Sequence, residues 1–276
     1  MKKTVMIAAL AMVLVIVFGG CRKFFDWKHG GHHDHDPGCR IKKITSFSGG
    51  DTIVWNFNYN HKGDPVSVIT SAPSTGRPHF TFRYDHKGRL KEFLAPYSLE
   101  PNTNYEQWFT YQYDWKGRII GDTAYNFGYV ENGVPQPIND FKSYATYYYD
   151  AWDRVVKVVR TYLVPGLPQN PVTTEEYVYD DDGNLEWWLR SSNTSPTVIE
   201  NQMGPYGNKR NVRHTNKIWM FIDRNYSVND EAGAVAHNAA GLPLRYEPPI
   251  AGYYRSLLYS IDLTNAELEY TCHGKK

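Results

Sequence analysis

The chain has no apolar run long enough to make a transmembrane helix. Its hydrophobic stretch Thr4–Phe18 falls short of the roughly 20 residues that spanning a bilayer requires. It also lacks an excess of either charge. Lys and Arg number 30 against 29 Asp and Glu, a net charge of +1 with no acidic or basic block, which argues against nucleic acid as a partner because that needs a basic face. Outside an N-terminal histidine cluster no metal-ligand spacing, phosphate loop, nucleophile elbow or paired-carboxylate motif stands out, so no cofactor and no enzymatic activity are expected. Asp180-Asp181-Asp182-Gly183 resembles part of a calcium loop, but the EF-hand glutamate is missing at its required distance. Cysteine is scarce, with only Cys21, Cys39 and Cys272.

What is present begins with an export signal. Lys2 and Lys3 precede the apolar run, which ends at Gly19-Gly20-Cys21, small residues that a peptidase admits in extended form. This junction resembles a lipobox, with Phe18 standing where that signal usually has an aliphatic residue. The resemblance implies cleavage after residue 20, lipid on Cys21 and a bacterial outer-membrane or cell-surface location, with the membrane as a partner. An ordinary cleaved signal and an uncleaved anchor are the alternatives. Lipidation of Cys21 would leave Cys39 and Cys272 as an even pair, so a disulfide tying the first strand to the last is expected in an oxidising compartment. Two separate buried thiols are the alternative.

Residues 21–38 read as a tether, because Gly30, Gly31, Pro37 and Gly38 surround polar residues without periodicity. His29, His32, His33 and His35 alternate there with Asp34 and Asp36, a donor set for zinc, copper or nickel; a solvated spacer is the bland reading. Phe24, Phe25 and Trp27 suit a membrane interface.

From residue 39 to 276 a single β-domain is expected, because one phrase keeps returning. It is tyrosine, aspartate, two variable residues, glycine, a polar residue and an aliphatic one. Its copies begin at Tyr59, Tyr84, Tyr113, Tyr149 and Tyr179, with a faded one from His237. Aromatics alternate before the turns, as in Trp55-x-Phe57-x-Tyr59, Phe80-x-Phe82-x-Tyr84 and Phe109-x-Tyr111-x-Tyr113, and a period of two puts them on one sheet face. The aspartate accepts N–H groups inside the turn, while the glycine closes a type I turn with a G1 bulge. Asp153 replaces that glycine in the fourth copy and is among the few residues that tolerate its conformation. Pro65 and Pro243 fall where other copies have an aliphatic residue, which suggests unpaired or edge positions.

These copies, best seen in Tyr84–Leu90 and Tyr113–Ile119, resemble the YD repeats of the RHS family. The chain as a whole is similar to uncharacterised YD-like lipoproteins of Bacteroidetes, and this resemblance implies a porin-like β fold with no assigned activity. The expected fold is all-β: an antiparallel meander of roughly ten to fourteen strands, curled into an open or closed barrel-like sheet, with a two-layer sandwich as the alternative. Lys217–Ile222 is expected to form a short helix or buried plug.

Function is less legible. Aromatics make up 15% of the chain, and Trp115 and Trp152 lie inside turns, where burial would be surprising, so they are candidates to stack on sugar rings. Trp108, Trp187 and Trp188 are weaker ones, since aromatic residues also pack across strands. The expectation is a non-catalytic binding or structural module whose partner is a glycan or an envelope protein. The alternative is a hydrolase acting on an envelope or dietary polysaccharide, for which the scattered His79, His214 and His237 offer no pattern.

Overall fold

A computed structural model describes residues 38–48, 50–138, 141–248 and 255–272. Cys21 and the histidines 29, 32, 33 and 35 lie outside the described residues. The chain divides into Met1–His35 and Asp36–Lys276, and the second unit holds the whole sheet.

Strands β1 (Cys39–Ser48) and β2 (Asp51–Tyr59) pair first. Repeat turns then join β2 to β3 (Pro65–Thr70), β4 (Phe80–Tyr84) to β5 (Leu90–Pro96), and β6 (Thr103–Tyr113) to β7 (Ile119–Glu131). After the short β8 (Val134–Pro137), two more turns join β9 (Lys142–Tyr149) to β10 (Val155–Leu163) and β11 (Val172–Tyr179) to β12 (Leu185–Ser192). Next come β13 (Ser195–Gln202), β14 (Tyr206–Arg210) and the helix α1 (Lys217–Asp223). The chain ends with β15 (Asn229–Glu231), β16 (Ala234–His237), β17 (Pro243–Tyr246), β18 (Ser256–Leu257), β19 (Ile261–Asp262) and β20 (Ala266–Cys272).

Sixteen strands form one sheet, in the order β13, β12, β11, β10, β9, β7, β6, β5, β4, β3, β2, β1, β20, β17, β16, with β8 on the side of β7. The fold is therefore the expected all-β antiparallel meander, and it is open, ending on β13 and β16. It exceeds the expected strand count because β1, β8, β13, β16, β17 and β20 extend the sheet beyond the five repeat hairpins.

Each turn repeats the same chemistry. Asp85 Oδ1 accepts the N–H groups of Lys87 and Arg89 at 2.9 Å, and its Oδ2 takes Arg89 Nε at 2.8 Å. Asp150 does the same with Trp152 and Arg154, Asp114 with Arg118, and Asn60 and Asn238 accept two turn N–H groups each. The residue closing each turn has positive φ, including Asp153 at 59°. Gly63 is needed because its φ is +88°; the Arg40 guanidinium lies in the space that a Cβ would take.

The repeat tyrosine joins one hairpin to the next. Tyr84 OH donates to Pro65 O at 2.6 Å, and Tyr113 OH to Leu90 O and Tyr149 OH to Ile119 O at 2.7 Å. Tyr59 reaches Ile41 O, Tyr206 reaches Leu185 O and Tyr270 reaches Pro243 O in the same way. The arginine of the previous hairpin covers the ring, with Arg89 4.4 Å from the Tyr113 centroid and Arg118 5.1 Å from that of Tyr149. Pro65 is thus not at an edge; it opens β3 beside the bulge after Asn58 and supplies a carbonyl that this link uses.

The alternating aromatics share the inner face. Phe80 stacks on Trp55 at 5.9 Å and on Phe93 at 5.5 Å, and Phe93 meets Phe109 at 5.8 Å. Helix α1 packs against them. Asn216 caps it by accepting Ile218 N–H, but seven residues are too few for a helix to persist without tertiary packing. Trp219 is fully buried and meets Phe57 at 5.8 Å and Phe82 at 5.6 Å, while Phe221 meets Tyr111 at 5.6 Å and Tyr147 at 5.2 Å. The expected plug is therefore a helix that fills the curl of the sheet. A buried ion pair holds it, Arg213 Nε donating to Asp223 Oδ2 at 2.7 Å; Arg255 lies beside Glu231 of the later β15.

Cys39 and Cys272 stand opposite each other in β1 and β20 and are disulfide-bonded across a separation of 233 residues. In the chain-entropy model, closing so long a loop removes unfolded-state freedom worth about 5 kcal/mol.

Replacing Trp219 with Ala is expected to remove about 3–5 kcal/mol of stability, read from urea unfolding; a loss below about 1 kcal/mol would mean the sheet holds its shape without the plug. Asp230 gives a pH test. Burial, with Glu231 adjacent, pushes its carboxyl up to about 7 despite the hydrogen bond from Tyr246 OH at 2.7 Å and the nearby Arg213 and Arg255. The folded state keeps a proton that the unfolded chain releases near pH 4, so stability is lost as pH rises from about 4 to about 7 and levels off above. Asp230→Asn should therefore be more stable than wild type in urea unfolding at pH 8, by on the order of a few kcal/mol, with the gap closing towards pH 4. A gap independent of pH would refute this assignment.

Candidate functional site

Because every repeat turn leaves the same margin of the sheet, the five tips form a ridge. Hairpin neighbours repeat every two strands, roughly 10 Å apart. The first two tips adjoin, with Lys62 Nζ lying near Gly88 of the second turn. Along the ridge the two variable residues of each turn read His61-Lys62, His86-Lys87, Trp115-Lys116, Ala151-Trp152 and Asp181-Asp182, all exposed.

Trp115 and Trp152 are brought together as neighbours here. Trp115 is 89% exposed and Trp152 57%, values far above those of the core aromatics, and neither ring is needed to close its turn. Their turns are clasped by Arg118, which binds Asp114 of its own turn through Nε at 2.9 Å and Asp153 of the next through Nη1 at 3.0 Å. Donating to the Asp114 and Asp153 carboxylates holds the Arg118 guanidinium further toward its charged form. The departure from glycine at position 153 thus supplies a carboxylate that fixes the spacing of two tryptophan-bearing turns. A cation flanks each ring, Lys116 Nζ 5.3 Å from the Trp115 centroid and Arg154 5.0 Å from that of Trp152.

The other tryptophans sit differently. Trp108 stacks on Tyr125 at 4.7 Å on the outer face, while Trp187 and Trp188 are half-buried in β12. His79 is buried, its Nδ1 accepting Thr70 N–H at 3.2 Å, and burial lowers its pKa. Asp180 accepts Asn184 N–H at 2.8 Å, the turn role rather than a calcium one. Among the described residues no group of three or more His, Cys, Asp or Glu converges on a metal position.

The sequence reading missed a buried polar cluster on the inner face. Arg160 grips Asp122 with two bonds of 2.9 and 2.7 Å and Ser143 Oγ at 2.8 Å, and Tyr147 OH also donates to Asp122. Arg224, at the end of α1, reaches Tyr147 OH at 3.3 Å. Burial pushes the Tyr111, Tyr147 and Tyr177 hydroxyls far above their usual range. Asp122 is inaccessible to solvent, so this cluster anchors the plug to β6, β7, β9 and β10. These residues are far apart in sequence, and no local signal marks them.

A concavity of about 480 Å³ lies at the opposite margin from the ridge and is lined by Glu106, Gln107, Asn126, Phe127, Ile138 and Phe141. Glu106 is its titratable lining group, and it is engaged by Gly76 N–H at 2.8 Å and Tyr97 OH at 3.3 Å. Neither Trp115 nor Trp152 reaches it.

No protein-family model matches the chain, and no curated protein matches it. Among solved structures, a porin-like protein from Bacteroides vulgatus is 12% identical with a TM-score of 0.41, covering 84% of this chain and 98% of that one. A TcdB2-TccC3-Cdc42 complex is 14% identical over 60% of this chain with a TM-score of 0.29. The Photorhabdus luminescens Tc holotoxin pore is 15% identical over 85% of it, with a TM-score of 0.28. The chain is similar to a small part of those two toxin chains, 9% and 12% of their lengths.

Proposed function

We propose that this chain is a lipid-anchored protein of the bacterial envelope, of the YD-repeat-like type, that binds glycans without catalysis through its turn ridge. The observation that carries the binding reading is the Trp115–Trp152 pair. Two large apolar rings held in solvent on adjoining turns cost solvation without contributing to the core, and their turns are locked at a fixed spacing by Arg118 and Asp153. Indole faces flanked by cations suit the apolar face of a sugar ring with its hydroxyls or acidic substituents at the edge. The Cys39–Cys272 bridge supports an oxidising compartment and leaves Cys21 for lipid.

The anchor is tested by growing cells with radiolabelled palmitate. Wild type should take up label and sediment with membranes, while Cys21→Ala takes up none; equal labelling of the two would exclude lipid at this cysteine. Binding is tested on a glycan array. The Trp115→Ala/Trp152→Ala variant should fold normally by circular dichroism and lose at least about tenfold in retention on the glycans that wild type binds. Unchanged retention would remove the tryptophans as sugar platforms.

A further inference from the structure

The ridge carries a second regularity, independent of the tryptophans. The fourth position of the repeat is lysine in the first three turns: Lys62, Lys87 and Lys116. All three are exposed, and among the described residues none of these ammonium groups forms an ion pair. The ridge arginines differ, because Arg89, Arg118 and Arg154 are each neutralised by the aspartate of their own turn. Positive charge outside any ion pair therefore recurs once per hairpin, on turns roughly 10 Å apart, with Lys62 reaching toward Gly88 of the next turn and Lys116 lying over the Trp115 ring. It ends abruptly at Asp181 and Asp182 in the fifth turn, which repel an anion approaching that far.

Resting on the glycan-binding reading, we infer that the ridge binds a linear acidic polysaccharide, laid across the turns from His61 to Trp152 with its carboxylates or sulfates on Lys62, Lys87 and Lys116. Charge spacing selects this class. A polymer with one acid group per disaccharide places its anions about as far apart as the turns, whereas each strand of a nucleic acid duplex advances only about 3.4 Å along the axis per phosphate, a denser and helically wound array. The sugar rings between the anions then meet the exposed rings of Trp115 and Trp152 at the end of the row. Solvent-exposed pairs of this kind are screened by salt, so binding should weaken as ionic strength rises.

The test uses the lipid-free folded protein on immobilised hyaluronan and unsulfated chondroitin, each with one carboxylate per disaccharide, with amylose, galactan and oligothymidylate as comparisons. Wild type should bind at least one acidic polysaccharide more tightly than the neutral ones and than oligothymidylate. The Lys62→Gln/Lys87→Gln/Lys116→Gln variant should lose at least about tenfold and most of the salt dependence. A control triple with equal charge loss off the ridge, Lys42→Gln/Lys91→Gln/Lys142→Gln, should bind as wild type. Equal losses in both triples would overturn the inference, as would preference for oligothymidylate. Tryptophan-dependent binding of neutral glycans that the ridge lysines leave untouched would overturn the acidic ligand but preserve the glycan reading. No retention on any polysaccharide would remove both.

Discussion

The hydrogen bond from each repeat tyrosine to the first carbonyl of the preceding return strand sets the interval between hairpins. A β-meander has ladder bonds between neighbouring strands but nothing intrinsic to hold one turn level with the next. Here Tyr84, Tyr113 and Tyr149 supply that constraint by reaching Pro65, Leu90 and Ile119. The arginines lying over the Tyr113 and Tyr149 rings are themselves clamped by their turn aspartates, so in these copies tyrosine, aspartate, glycine and arginine form one mechanical unit. Tyr179 is the exception. Its hydroxyl turns to Arg224 O and Tyr226 N instead, at the place where the plug takes over from the repeat.

That levelling has two consequences on the two sides of the turns. Inward, it stacks Trp55, Phe80, Phe93 and Phe109 into a continuous aromatic layer, which then needs a cover. Helix α1 and the strands around it provide the cover, with charged pairs such as Arg213–Asp223 and Arg160–Asp122 fixing its position. The sheet stays open, ending in the wholly exposed β13 and the short, irregular β16. Such short or proline-bearing edges resist further pairing; Pro196 lies in β13. The disulfide fastens β1 to β20 near the β16 end of the sheet.

Outward, the same levelling turns variable residues into a surface. Two side chains per turn carry no structural duty, and repetition places them in a row. Conservative turns thus yield a ridge whose composition can vary without disturbing the sheet, which is where binding residues are expected to gather. Asp153 shows the coupling between the two roles, since it both tolerates the left-handed conformation of its turn and clasps the tryptophan-bearing turn beside it.

Much of this was written locally. Alternation of Trp55, Phe57 and Tyr59 specified a sheet face, the aspartate-to-glycine spacing specified each turn, and cysteine arithmetic paired Cys39 with Cys272, because these signals act over a few residues or by counting. The apolar run Lys217–Ile222 likewise announced a plug. The partners of the tyrosines were decided only by the tertiary structure, as were the buried Asp122–Arg160–Tyr147–Arg224 cluster and the alignment of Trp115 with Trp152. Each depends on which hairpins become neighbours in the sheet, and hydrogen bonds between residues 17 to 77 positions apart leave no periodic trace in a sequence. Openness of the sheet was also a tertiary matter, because a meander of these hairpins could curl either way until the plug filled its interior.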